Sequence, residues 1–159
     1  MKLKIDLSRQ GNFILALLLI HFVFFGYLSN IFQKQIGEKI LYLYQIFIDP
    51  EYYLSIIILF AIVFVMVLRE KFFEYGIRNS IWLTPIIIIQ SFIWFWMMFG
   101  FDITIIGDFF TRYEGYVTIF SILGVNLFAA ILAAIFKQYR NKWKKLDQLN
   151  GEEMIYEHD

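Results

Sequence analysis

The chain has 159 residues, of which 60% are hydrophobic, 21% aromatic and 18% charged, and its formal net charge is zero. Soluble domains carry about 25% charged residues, so this composition indicates a membrane protein. The absence of cysteine excludes disulfides, thiolate metal sites and cysteine nucleophiles. Because the net charge is zero, the chain as a whole is not basic enough to attract nucleic acid. We therefore expect no cofactor, and no direct contact with nucleic acid.

Long apolar runs dominate the chain and set its fold class. A helix of about 20 apolar residues crosses a hydrocarbon core about 30 Å thick. The runs of this chain cover residues 12–32, 52–68, 81–100 and 116–136. The sequence thus predicts an all-α polytopic membrane protein with four transmembrane helices.

The distribution of basic residues predicts the orientation of the chain. Of the 14 Lys and Arg residues, 11 lie in residues 1–11, in the connection 69–80 or after residue 136. The connections 33–51 and 101–115 contain the other three. Since cytoplasmic segments carry the excess of Lys and Arg, both termini are predicted to be cytoplasmic.

The two connections predicted outside differ in pattern. In 33–51, apolar residues recur every three or four positions, which favours an amphipathic helix on the outer membrane surface over a continuation of the first helix. They are Ile36, Ile40, Leu43, Tyr44 and Phe47. The connection 101–115 places charged residues beside Phe109 and Phe110, so we expect it to be partly embedded.

Three strongly polar residues fall in the middle of three of the spans: His21, Gln90 and Asn126. An unpaired amide or imidazole in hydrocarbon costs several kcal/mol, so these side chains are expected to turn inward and to bond to one another or to water. One interpretation is a layer of hydrogen bonds that fixes helix register. The other is a titrating His21 in a water-filled path. No Ser, Asp or Glu is placed to complete a nucleophile–base set with His21 at that depth, which argues against catalysis there.

Near the start of the third span, Thr84 precedes Pro85. Proline lacks an amide hydrogen and is tolerated in the first turn of a helix, whereas deeper in a helix it causes a bend. The pattern leaves two readings open. Either Pro85 bends the helix slightly, or it lies within the first turns of the helix after a Ser80 cap.

The fourth span carries small residues at spacings that let helix backbones approach closely. They are Gly124, Ala129, Ala130, Ala133 and Ala134. Such a face serves either packing within one chain or association between copies. With four spans and little soluble surface, we expect a homo-oligomer.

Beyond the fourth span, residues 137–150 continue at helical spacing, and Asn150-Gly151 predicts the helix end. Trp143 lies on the apolar stripe of this extension. In the acidic tail 151–159, carboxylates flank three apolar residues. The tail is either solvated or binds a cytoplasmic protein. The tail residues with this predicted role are Glu152, Glu153, Met154, Ile155 and Tyr156.

Three function classes are compatible with these features. The first is a non-enzymatic, oligomeric membrane scaffold or sensor that recruits or regulates a cytoplasmic effector, and the tail and polar layer favour it. The second is a small channel, holin or transporter subunit, which needs a continuous polar face. The third is a membrane immunity protein against a toxin. An enzyme is the least favoured class.

In its size, its four spans, its cytoplasmic termini and its short outer loops, the chain resembles the four-helix membrane subunit of the Kiwa-type bacterial anti-phage defence system. The resemblance covers the whole chain at the level of topology. It implies a homo-tetrameric sensor in the bacterial inner membrane that responds to phage-induced disturbance and couples to a cytoplasmic DNA-binding effector. It assigns no functional residue.

Overall fold

The computed structural model describes residues 7–27, 53–70 and 72–156, and the side chains within 10–27, 53–70 and 72–143. Every regular element in these ranges is helical. The elements are α1 (Leu7–Leu19), a π-helical turn (Ile20–Phe25), α2 (Tyr53–Arg69), α3 (Phe73–Phe99), α4 (Thr104–Thr111) and α5 (Tyr113–Tyr156). This confirms the predicted all-α class. The predicted amphipathic helix in 33–51 lies outside the described residues, as do residues 157–159.

Two helices have the length and composition to cross a membrane. They are α3 and the segment Tyr113–Trp143 of α5, with mean hydropathies of 1.7 and 2.5. The other apolar helical segments, Gln10–Phe25 and Tyr53–Arg69, are shorter. At 1.5 Å per residue, the 17 residues of α2 extend about 25 Å. The four predicted runs thus fall on four apolar helical segments, two of which reach full spanning length within the described chain.

Helix α3 begins at Phe73, well before the predicted start at residue 81, so the connection from α2 shortens to residues 70–72. Ser80 is therefore inside the helix rather than at its cap, and its hydroxyl donates to the Ile77 carbonyl at 2.7 Å. Pro85 likewise lies within α3. Residues 73–80 are too polar to count as part of an apolar run, yet nothing in them interrupts a helix.

Helix α5 has 44 residues and continues through Asn150-Gly151 to Tyr156. The expected stop at Gly151 is not observed, since among the described residues only Gly100 is a glycine with positive φ. A glycine inside a helix costs about 1 kcal/mol relative to alanine, which the helix-forming Glu152, Glu153 and Met154 after it can offset. The helix is about 66 Å long and is therefore much longer than the hydrocarbon core.

Helices α2 and α3 are central, and each contacts both the α1 segment and α5. The core between them is apolar and includes Ile20, Val63, Leu83, Ile87 and Ala130. Many large apolar side chains point outward instead, and Phe22, Met97 and Phe120 are each more than two-thirds exposed. An apolar exterior around an apolar core is the expected arrangement of a helical bundle in lipid.

Helix α4 folds back between α3 and α5. Its Phe109 is buried against Phe92, with ring centroids 5.6 Å apart in an edge-to-face arrangement. Gly115 allows this approach, because a Cβ there would overlap the Phe109 carbonyl oxygen. Phe110 remains exposed. One of the two predicted aromatic residues of the connection thus packs against the bundle.

Candidate functional site

The most connected polar residue in the described chain is Glu70, which follows the last residue of α2 and is 4% exposed. Its amide donates to the Val67 carbonyl at 3.1 Å, which closes the helix end. Its Oε1 accepts from Asn12 Nδ2 of α1 at 3.5 Å and from Asn79 Nδ2 of α3 at 3.4 Å. One carboxylate thus joins three helices.

Helix α5 contacts the same residue through Lys137, whose Nζ donates to the Glu70 backbone carbonyl. We call the group of Glu70, Asn12, Asn79 and Lys137 the Glu70 junction. A buried carboxylate is tolerated when it is hydrogen-bonded, and Asn12 and Asn79 supply these bonds. Lys137 is also the first residue of the predicted cytoplasmic extension, so the junction holds α5 where its apolar segment gives way to charged residues.

Cavities flank the junction. One of about 180 Å³ lies between α2, α3 and α5 and is lined by residues that include Glu70, Lys137 and Asn141. Another of about 460 Å³ lies between α1 and α3, and Asn79 is part of its wall. Polar side chains of the junction therefore border open space on two sides of α3.

Asn126 is fully buried in α5 and faces the turn of α3 that precedes Pro85. Its Nδ2 lies 3.3 Å from the Ser80 carbonyl and 3.1 Å from Thr84 Oγ1. Proline removes an amide donor and weakens the preceding turn, so this side-chain donor lies where α3 is least supported. The amide oxygen, Asn126 Oδ1, is buried with no partner among the described residues. The contact fits the register-fixing interpretation.

His21 and Gln90 make contacts between α3 and the first helix. Gln90 Nε2 donates to the Leu17 carbonyl at 3.3 Å, just before the π-helical turn that contains His21. Trp94 Nε1 donates to His21 Nδ1 at 3.2 Å. Because the indole is only a donor, this bond requires a neutral imidazole with its proton on Nε2.

Within the described ranges, His21, Gln90 and Asn126 do not hydrogen-bond to one another. Each of the three instead bonds to a residue of another helix within the described chain. Depth along a helix can be read from sequence, but the direction in which a side chain points cannot. Asn126 bonds across the contact between α5 and α3, whereas Gln90 and His21 bond across the contact between α3 and the first helix.

The small residues of the fourth span separate into two groups. Ala129, Ala130, Ala133 and Ala134 are buried within the bundle, at 9% exposure or less. Gly124 is exposed, and a Cβ at this position would meet nothing within 4 Å. The alanines therefore serve packing within one chain. Gly124 alone lies on an outward face.

The residues predicted to bind a partner lie on the projecting part of α5. Trp143 is 65% exposed. Glu152, Glu153, Met154, Ile155 and Tyr156 lie on the continuous helix rather than after its end. Their backbone lies about two and a half to three and a half helical turns beyond Trp143.

The sequence prediction missed Glu70 because it weighed polar residues only at mid-depth and placed this carboxylate in a loop. A signal exists nonetheless. Asn12, Glu70, Asn79 and Lys137 each lie at the same predicted end of one of the four helices, so a search at that level finds one hydrogen-bonding residue per helix.

The polar contacts described above join helices of one chain. Among the described residues, no group of three or more His, Asp or Glu side chains lies close enough to hold a metal ion. No family model matches the chain, and neither a curated protein nor a solved structure matches it.

Proposed function

We propose that this chain is a non-enzymatic, oligomeric membrane scaffold or sensor with four spans and cytoplasmic termini. In this proposal it recruits or regulates a cytoplasmic effector protein through the C-terminal part of α5. By the resemblance described above, the setting is the bacterial inner membrane, in defence against phage.

The observation that carries the proposal is the length of α5. Its segment Tyr113–Trp143 already has the length and hydropathy of a membrane span, and the helix continues to Tyr156. The 13 residues after Trp143 add about 20 Å of helix. We call residues 137–156 of α5 the arm, a continuous helix on which a soluble partner can bind.

The Glu70 junction supports a link between the membrane and this arm. Glu70 contacts α1, α3 and α5, and the contact with α5 is made at the base of the arm. A change in how the four helices pack would alter the contacts of Lys137 and so the direction of the arm. In this proposal, the junction is the element that couples helix packing to the arm.

The topology can be tested with single cysteines, since the native chain has none. Cysteines placed at Lys39 or Asp108 are expected to react with an impermeant thiol reagent from outside the cell, whereas a reporter fused after Asp159 is expected to be cytoplasmic. Labelling of positions 39 and 108 only from the inside would contradict the orientation.

Recruitment is tested by pull-down from lysate with three baits: the full chain, a chain without residues 151–159, and a control chain without residues 157–159. The control keeps Met154, Ile155 and Tyr156. We expect the full and control chains to capture a partner at low salt that the shorter chain loses, because apolar contacts and acidic steering are removed together. Identical partners for all three baits would contradict docking on the tail and would favour a self-contained membrane function such as a channel.

A further inference from the structure

An open groove lies between α1 and the first turns of α3, at the end of the bundle that contains the Glu70 junction. Its volume is about 460 Å³, and its lining is formed by Gln10, Phe13, Ile14, Arg78, Asn79 and Trp82. Arg78 is the charged member of this lining. The groove therefore combines one cation with amide groups and an apolar wall.

Arg78 is exposed, and its guanidinium carbon lies 4.9 Å from the centroid of the Tyr75 ring. This cation–π contact orients the side chain without neutralising its charge. A guanidinium presents several donors in a planar fork that matches phosphate oxygens. The polar part of the groove therefore suits a phosphate group.

The apolar part of the groove points to a lipid rather than to a free phosphate ion. Trp82 is 60% exposed and Ile14 is 45% exposed, next to the partly buried Phe13. A small ion leaves this wall in contact with water, whereas an acyl chain covers it. Tryptophan is also enriched at the level of the headgroups, where one side of the ring is apolar and the other wet.

We propose that the groove binds an anionic phospholipid of the cytoplasmic leaflet, with the headgroup phosphate on Arg78 and an acyl chain along Ile14 and Trp82. The inference rests on the membrane topology proposed above, which places this end at the cytoplasmic surface. The basic residues concentrated on that side add to the attraction for anionic lipid.

The groove also connects to the junction, because Asn79 lines it and donates to Glu70 Oε1. A lipid that bonds to the Asn79 amide competes with this hydrogen bond or reinforces its geometry. Lipid identity is thereby sensed at the base of the α5 arm.

The test uses the full chain reconstituted in nanodiscs that contain phosphatidylglycerol and phosphatidylcholine in equal amounts, followed by native mass spectrometry of the released protein with its retained lipids. We expect preferential retention of phosphatidylglycerol. Arg78→Gln is expected to lower this preference about tenfold, the factor that corresponds to about 1.4 kcal/mol, because it removes charge-assisted hydrogen bonds to the headgroup phosphate. Arg69→Gln, which removes an exposed charge outside the groove, is the matched control and is expected to change it by less than about twofold.

Arg78→Gln also removes the cation–π contact with Tyr75, so a second variant that keeps this contact is needed. Gln10→Glu leaves the cation–π contact intact but adds a negative charge to the groove, so it is also expected to lower phosphatidylglycerol retention. Equal retention by the native chain, Arg78→Gln and Gln10→Glu would overturn the site. Displacement of the lipid by millimolar inorganic phosphate would also overturn it, in favour of a free-anion site.

Extraction of membranes with alkaline carbonate separates this inference from the proposed function. A chain that stays in the membrane but shows no lipid preference would overturn the lipid site alone. A chain released by carbonate would overturn both the site and the membrane scaffold.

Discussion

The two ends of the bundle are held together in different ways. At the Glu70 end, one buried carboxylate residue contacts three other helices, over sequence separations of 58, 9 and 67 residues. At the opposite end, near Asp102, the polar contacts are local. Trp96 Nε1 donates to the Asp102 carbonyl, and the Asp102 carboxylate accepts from the amide and hydroxyl of Thr104.

This difference shows which end can transmit a change in packing. Local contacts at the Asp102 end order α4 between its neighbours, but they restrain only consecutive segments. Contacts at the Glu70 end join helices that are distant in sequence, so a change in one helix there alters the restraints on the others. The arm of α5 begins at this end, which places it where such changes converge.

The largest expected effect is that of Glu70→Ala. It removes the shared acceptor of Asn12 and Asn79, whereas the backbone carbonyl that accepts from Lys137 remains. We expect a loss of about 3 kcal/mol in the free energy of unfolding, since two amide donors inside the bundle lose their acceptor. The measurement is reversible unfolding in mixed micelles.

Glu74→Ala is the control for this variant, because Glu74 is an exposed carboxylate only four residues away. It is expected to change stability by less than about 0.5 kcal/mol. Hydrogen exchange of the Thr104 amide should be alike in both variants if the Asp102 end is independent. Equal destabilisation by Glu70→Ala and Glu74→Ala would contradict the junction.

The next effect compares small residues inside and outside the bundle. Ala130→Leu adds volume at a position that is 0% exposed, so we expect a loss of about 2 kcal/mol from overpacking. Gly124→Leu places the same side chain in open space, and its higher helix propensity is expected to leave stability equal or slightly raised. Thermal denaturation in detergent checks both.

The same pair tests the predicted homo-oligomer. If copies associate through the outward face of α5, Gly124→Leu lowers the fraction of cross-linked oligomer while the protomer remains stable. An unchanged fraction would exclude this face as the interface.

A smaller loss of stability is expected from a substitution at Asn126, which lies between the two ends and bonds to the turn before Pro85. Asn126→Leu removes donors to Ser80 and Thr84, and in membrane proteins such bonds contribute about 1 kcal/mol. In a double-mutant cycle with Thr84→Val, the losses are expected to be less than additive by about 0.5 kcal/mol. Full additivity would show that the two side chains do not interact.

The smallest effect concerns Asp102. Donation by the Thr104 side chain, and then by its amide, holds the pKa of this exposed carboxyl below its ordinary value. Because the folded pKa is the lower one, the contact stabilises α4 above the ordinary Asp pKa of about 4 and is lost as pH falls through the folded value. Thr104→Val is expected to raise the pKa of Asp102 in a carbon-13 NMR titration, and an unchanged pKa would contradict this hydrogen bond.

These contrasts also explain what could be predicted from the sequence. The bounds of α2 lie within one residue of the predicted apolar run, because hydropathy alone defines them. The start of α3 was misplaced because polar residues near a membrane surface look like a loop, although they remain helical. The continuation of α5 past Gly151 was missed because one glycine does not decide a helix end.

The contacts of the candidate site were harder to predict than the helices. Asn126 and Gln90 were recognised as polar groups at mid-depth, but the way each helix is rotated determines that one bonds Thr84 and the other the Leu17 carbonyl. The same holds for Glu70, whose partners come from 58 residues before it and 67 residues after it. Pairings over such separations follow from packing rather than from local pattern.

The central claim is that the Glu70 junction fixes the arm of α5 relative to the other helices. It is tested most directly by a distance measurement between two spin labels, at Arg69→Cys and Lys142→Cys, with the chain in nanodiscs. Both native side chains are exposed, and the chain has no other cysteine. We predict one narrow distance distribution for the otherwise native chain and a clearly broader one when Lys137→Met, which removes the donor to the Glu70 carbonyl, is added. Distributions of equal width in the two proteins would contradict the claim.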